Sequence, residues 1–168
     1  MAALMTKMWL YADPHFYHEG IVKFTNFDGT KVRPWDDAEV MSEWMINAYN
    51  ELVHPDDRVY ILGDVAMNRK ALDRSLPRLL GRKVLIKGNH DIDKLSYYAK
   101  YFEDIRGVDN KKGYVLTHVP LHPNCLDRWG VNIHGHLHGN KIEDKRYKCV
   151  SVEHTGFKPI LLEEVLSW

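Results

Sequence analysis

Short apolar runs recur along this chain, and most of them end abruptly in polar residues. Met8–Ala12 is an apolar run carrying Trp9 and Tyr11, which predicts a first strand. Asp13-Pro14-His15 ends it, because proline has no N–H to give a ladder. Val59–Leu62 predicts a second strand that stops at Gly63-Asp64, and Lys83–Ile86 a third that stops at Lys87-Gly88-Asn89-His90. Asp104–Val108 and Gly113–Thr117 flank Asn110-Lys111-Lys112-Gly113, which reads as a hairpin turn. Val131–Ile133 predicts a strand running into a Gly/His loop, Tyr147–Val152 a late strand, and Ile160–Leu166 either a strand or a short helix.

Helical spacing appears between these runs. Val40, Met41, Trp44, Met45 and Ala48 predict a helix to about Asn50, capped by Asp36 or Asp37. Arg69–Leu80 reads as helical, with Pro77 expected to break or kink it. Asp93 is expected to cap a helix through about Tyr101. The first half thus alternates strand and helix as a parallel α/β sheet does, and the second half is strand-rich. Five strands end in His, Asp or Asn, and in open α/β sheets sites form at the carboxyl ends of strands.

Composition narrows the picture. A length of 168 residues suits one domain, here from about Lys7 to the end (1–168), and a 45% hydrophobic, 27% charged chain is neither disordered nor a coiled coil. No stretch approaches ~18 apolar residues, so no membrane span is expected, and Met1–Leu10 makes a poor signal peptide. Cys125 and Cys149 form no Cys-x-x-Cys pair, which argues against a disulfide framework or a thiolate zinc site and fits a reducing, cytoplasmic setting. Lys+Arg and Asp+Glu both number 23, so a strong electrostatic grip on nucleic acid or an anionic membrane is not suggested. The 10 His are the departure, because imidazole is the commonest metal ligand.

The strand-end clusters divide by strength. Asp13-x-His15 puts a carboxylate and an imidazole on one side of an extended segment, although taken alone a surface turn is the better explanation of the pair. Gly63-Asp64 allows close backbone approach, and the two oxygens of Asp64 could bridge two cations; a plain turn has the same sequence. In Gly88-Asn89-His90-Asp91 the Asn89 amide oxygen can ligate, His90 can donate a proton, and Asp91 can orient that imidazole. His118 follows Thr117 at another strand end. His134-Gly135-His136-Leu137-His138-Gly139 is the strongest cluster, because three His at this spacing in a loop have little structural use. The candidate ligands Asp13, His15, Asp64, Asn89, His118, His136 and His138 exceed the needs of one ion and suit two ions ~3.5–4 Å apart. Donors of N and O without thiolate fit Mn²⁺ first, with Fe, Zn²⁺ or Ni²⁺ as alternatives.

These blocks, in this order, resemble the calcineurin-like metallophosphoesterase superfamily, with all five of its motifs spread over most of the chain. Asp13-x-His15-Phe16-x-His18, Tyr60-x-Leu62-Gly63-Asp64, Ile86-Lys87-Gly88-Asn89-His90-Asp91, Asn132-Ile133-His134-Gly135-His136 and Val150-Ser151-Val152-Glu153 also resemble a small bacterial and phage branch of predicted phosphoesterases. The resemblance implies an α/β/β/α sandwich with a dinuclear site at one edge. Asp13, His15 and His138 would bind the first metal, Asn89, His118 and His136 the second, and Asp64 would bridge them. A metal-bridging hydroxide would attack phosphorus in a phosphomonoester or phosphodiester, with His90 serving the leaving oxygen and Asp91 behind it.

The Gly63-Asp64 block continues as Val65-Ala66-Met67-Asn68, without the Asp-Arg-Gly continuation of the superfamily's protein phosphatases. Specificity must then come from short loops, where His18, Arg33, His122 and Lys87 are candidate substrate contacts; plain solvation is the simpler reading of Arg33 and Lys87. His54 and His154 carry no motif and read as structural. Two alternatives stand beside the enzyme: a catalytically silent binding module of the same fold, and a nuclease of the same superfamily. The net charge favours a small nucleotide-like phosphoester over a nucleic acid.

Overall fold

Trp9 and Tyr11 point to one side of strand β1 (Met8–Tyr11) and Leu10 to the other, and this alternation divides the core in two. The structure, a computed structural model, describes residues 6–168; of the N-terminal stretch Met1–Leu10, residues 1–5 lie outside the described residues. β1 pairs in parallel with β2 (Arg58–Ile61), β2 with β3 (Arg82–Ile86), and β3 with β4 (Asp104–Arg106), and the short β9 (Ile160–Leu161) closes the other edge antiparallel to β1. The second sheet is β5 (Asp109–Lys111), β6 (Tyr114–Leu116), β7 (Val131–His134) and β8 (Tyr147–Cys149), in that order. The architecture is α/β. Val59, Ile61 and Leu85 join Trp9 and Tyr11 against Met41, Met45 and Tyr49 of helix α1 (Ala38–Leu52). Leu10, Tyr60, Leu62, Val84 and Ile86 face Leu116, Ile133 and Val150 of the second sheet instead.

The outer face of the second sheet is covered by the segment that carries helix α4 (Leu126–Trp129). The buried Asn132 donates to Thr117 Oγ1 (2.9 Å) and accepts from the Leu121 N–H (2.8 Å), and Tyr147 donates to the Leu121 carbonyl (2.7 Å). Leu126 is buried beneath it. Among the described residues no helix is long and apolar enough to cross a membrane.

Local chemistry sets most boundaries. Asp37, not Asp36, caps α1, accepting from the Glu39 and Val40 N–H groups. Val40 and Trp44 share the helical spacing of the buried stripe but lie exposed, Trp44 against Trp35. Asn68 caps α2 (Arg69–Ser75), which gives way at Pro77 to a 3₁₀ turn over Leu76–Arg78.

Three expectations need correction. Asp93 caps nothing: its carboxylate accepts from Arg69 Nε at 2.8 Å, and helix α3 is a single turn, Leu95–Tyr98. Asp104–Arg106 is no hairpin arm but the edge of the first sheet, and Asp109–Lys111 pairs antiparallel with Tyr114–Leu116 around Lys112-Gly113. Finally, β8 ends at Cys149, where Ser151 turns to bridge Ala12 and so joins the two sheets. The ambiguous Ile160–Leu166 is both elements, β9 followed by α5 (Leu162–Leu166).

Candidate metal centre

Five strand ends converge on one point. Asp13 and His15 follow β1, Asp64 follows β2, Asn89 follows β3, His118 follows β6, and His136 and His138 follow β7. Ligand atoms of Asp13, His15 and His138 lie within 4.8 Å of one another, as do those of Asp64, His118 and His136. Asp64 joins the two groups: its Oδ2 is 3.6 Å from His15 Nε2 and 3.4 Å from His118 Nε2. The Asn89 amide oxygen lies 2.8 Å from the same His118 nitrogen, and His136 Nδ1 lies 3.2 Å from it.

The backbone is bent to make this convergence. Asp13, His15, Asp64, His136 and His138 have φ of 56°, 47°, 52°, 71° and 50°, in the left-handed region that side chains other than glycine seldom adopt. Such strain persists where surrounding structure over-determines it, and it gathers at functional sites. The Asp13 and His15 N–H groups donate to the Gly63 and Asp64 carbonyls, both at 3.1 Å, and so lock the loop after β1 onto the loop after β2. Glycine is required where these loops touch. A Cβ on Gly63 would come within 2.6 Å of Gly88 Cα, and one on Gly135 within 2.4 Å of Asp13 Oδ2.

The hydrogen bonding of the cluster is incomplete in one direction. His118 Nδ1 lies 2.7 Å from the Leu62 carbonyl, which can only accept, so Nδ1 carries the hydrogen. Nε2 faces the oxygens of Asp64 and Asn89, which are also acceptors, so only a proton or a cation can join them. Asp13 Oδ1 and both nitrogens of His15 are buried with no hydrogen-bond partner among the described residues. Buried ligand atoms left without partners, beside an Asp64–His118 pair that a proton or a cation must join, suit a bound cation. The donor set of imidazoles, carboxylates and one amide, without thiolate, fits two divalent ions of borderline hardness.

Protonation follows the same geometry. Burial raises the Asp13 carboxyl to about 6, against the pull of His118 and His138. Burial, reinforced by the Arg33 charge, lowers His15 to about 3 and keeps it neutral. Asp64 is held at about 2, because its bond to His118, the His118 charge and the His90 N–H outweigh its burial. For His118 and His138 burial is likewise overcome, by Asp64 and Asp13 for the first and by Glu153 for the second, and both imidazoles are raised.

Two expected site residues take other roles. Asp91 does not touch the His90 ring. Its Oδ2 accepts from the Asp64 N–H (2.9 Å) and the Gly88 N–H (2.8 Å), and its Oδ1 from the Val65 N–H (3.1 Å). It therefore pins the turn after β3 to the turn after β2. Arg33 is neither a substrate contact nor a solvated side chain. It is fully buried, bonded to the carbonyls of Asp13 and Pro14 and to Glu153.

The His90 and His18 rings each lie 5.7 Å from the His15 ring, at the rim of the cluster. His122 is exposed and caps the 3₁₀ turn Pro123–Cys125 through its Nδ1, with no contact to the ligand groups. His134 turns to the Gly135 carbonyl and the Tyr147 ring. His54 caps its own turn, and His154 reaches the Asn140 carbonyl. Two contributors carried no signal of their own: Ser151, whose hydroxyl donates to Asp13 Oδ2 at 2.8 Å, and Glu153, whose Oε1 accepts from His138 Nδ1 at 3.1 Å. Both belong to the Val150-Ser151-Val152-Glu153 pattern, which by itself assigns neither a role.

No family model matches the chain. It is 34% identical to the uncharacterized protein MJ1445 of Methanocaldococcus jannaschii, over 96% of this chain and 90% of that protein. It is 32% identical to the gene 66 protein of Mycobacterium phage L5, over 52% of this chain and 41% of that one. The crystal structure of AQ665 from Aquifex aeolicus, a protein of unknown function, superposes with a TM-score of 0.70 at 27% identity, covering 96% of this chain and 98% of that one.

Proposed function

The chain belongs to the family of the uncharacterized Methanocaldococcus jannaschii protein MJ1445, and from that premise and the geometry of the strand-end cluster we propose that it is a dinuclear metal-dependent phosphoesterase of the metallophosphoesterase type. The reading is carried by Asp64 Oδ2, which stands between His15 of one ligand group and His118 of the other. Asp13, His15 and His138 would hold one cation, Asn89, His118 and His136 the second, and Asp64 both. When bound, two divalent cations supply the Lewis acidity that activates water and offsets charge on a phosphoryl group.

The chain's own residues do the rest. Leu62 and Glu153 fix the hydrogens of His118 and His138 on Nδ1, so each ring presents Nε2 inward. Asp91 holds the Asp64 backbone, and the His90 N–H holds the second oxygen of Asp64 at 2.8 Å. The His90 imidazole, exposed at the rim, is placed to give a proton to the leaving oxygen of a phosphomonoester or phosphodiester. His18 stands on the same rim as a substrate contact.

The test is metal content followed by turnover. Protein loaded with Mn²⁺ should hold two ions per chain and hydrolyse aryl phosphoesters, and Asp64→Ala should lose both properties. No turnover above the Asp64→Ala control, across mono- and diesters with Mn²⁺, Ni²⁺ or Zn²⁺, would sink the reading and leave a silent binding module.

A further inference from the structure

The cavity that opens on His136 and His138 has a second wall, built from Phe24, Thr25, Asn26, Phe27 and Val32. Its volume is about 610 Å³, within the ~300–1,000 Å³ of small-molecule sites. Phe24, Phe27 and Val32 form the apolar side, and Asn140 stands at the rim. Phe24 is half exposed and Phe27 fully exposed. Single exposed aromatics are ordinary, but two on one wall of a cavity beside a cation cluster form a localized apolar surface.

The loop that presents them is braced by its own hydrogen bonds. The Val32 N–H donates to the Phe24 carbonyl (3.0 Å), Asn26 to Thr30 (2.8 Å) and Gly29 to Asn26 (3.0 Å). Asp28 accepts from the Thr30 N–H and hydroxyl, and Gly29 takes the φ of +81° that the turn demands. Phe27 thus stands at the tip of a braced hairpin and does not fold back into the core.

We propose that this wall binds the ring of the substrate: a small organic phosphate bearing a flat aromatic group of nucleobase kind, which rests on Phe24 and Phe27 while its phosphate meets the His136–His138 side. The proposal rests on the phosphoesterase reading and adds the substrate class to it. A concave site with imidazoles on one side and phenyl rings on the other matches a molecule that is anionic at one end and flat and apolar at the other. Phenyl faces stack on any planar base, whichever base it is. The zero net charge gives a longer polyanion no further hold.

Isothermal titration of the Mn²⁺-saturated protein with adenosine 5′-monophosphate and with ribose 5-phosphate isolates the ring, because both probes carry the same phosphate. The nucleotide should bind about tenfold tighter or more, the order expected for one stacked base. Phe27→Ala and the Phe24→Ala/Phe27→Ala double variant should bring the ratio toward one, and Phe27→Trp should preserve it. Equal affinities in the parent protein, or a ratio indifferent to both alanine variants, would overturn the proposal. So would alanine variants that change the sedimentation coefficient and not the ratio, which would make the wall a protein contact. The phosphoesterase reading fails separately, by absent turnover against Asp64→Ala, so the two failures are distinguishable.

Discussion

At the scale of single residues, Arg33 does more than any ligand to shape the site. Its Nη1 donates to the Pro14 carbonyl and its Nη2 to the Asp13 carbonyl, both at 2.7 Å, and its Nε and Nη2 grip Glu153 at 2.9 and 2.8 Å. Glu153, kept at about 2 against its own burial by His138 and Arg33, passes that grip to the His138 ring. One guanidinium therefore braces the Asp13–Pro14 backbone directly and the His138 ring through Glu153. A lysine has no planar fork to reach two carbonyls and a carboxylate together. Arg33→Lys is expected to lower Mn²⁺ from two ions per chain to one by plasma mass spectrometry, with Glu153→Gln a milder version. Two ions retained in Arg33→Lys would refute the role. No sequence pattern exposes it, because Arg33 meets its partners across 19, 20 and 120 residues of chain.

At the scale of elements, the turn Gly88-Asn89-His90-Asp91 works as a clasp between two strand ends. Three N–H groups, from Gly88, Asp64 and Val65, converge on the Asp91 carboxylate. Asp91→Ala would strand all three in the interior and is expected to destabilise the fold by roughly 3 kcal/mol or more, seen as a lower midpoint in denaturant unfolding. If Asp91 merely oriented His90, stability would hardly change. The elements themselves were legible where a local rule governs them. Asp37 caps α1, Pro77 ends α2, and polar residues stop β1, β2 and β3. They were not legible where a distant partner decides. Asp104–Arg106 joins the first sheet because Val84–Ile86 offers it a free edge, and Asp93 is drawn off its cap by Arg69.

At the scale of the whole molecule, the candidate ligands come from both sheets. Asp13, His15, Asp64 and Asn89 stand on the first, and His118, His136 and His138 on the second. Cations held between them would act as a staple. Saturation at ~100 times Kd should add about 2.7 kcal/mol to unfolding, or roughly 5–10 °C in Tm for a chain of this size. The sign of its pH dependence follows from the raised imidazoles. His118 and His138 hold protons above the usual histidine range, so cations must displace more protons as pH falls. The Asp13 carboxyl joins the competition near pH 6. Differential scanning calorimetry with Mn²⁺ and with a chelator should show the added Tm shrinking from pH 8 to pH 6. A Mn²⁺ effect that grows toward pH 6 would contradict the assignment of these ligands.

The kind of residue at each strand end, and the α/β alternation that brings such ends to one side, can be read directly from the chain, because both are written in contiguous residues. Spacing and residue type also marked Asp13, His15, Asp64, His118, His136 and His138 as candidate ligands, and the fold brings them into two groups that could hold a cation. How those members are held is fixed by long-range packing: Asp64 between two histidines, Asp91 beneath the loops and not behind His90, Arg33 inside and not in solvent. Those arrangements depend on which buried donor finds which acceptor across twenty residues of chain or more. The interior selects such pairs by leaving no other partner within reach, and no local pattern records that selection.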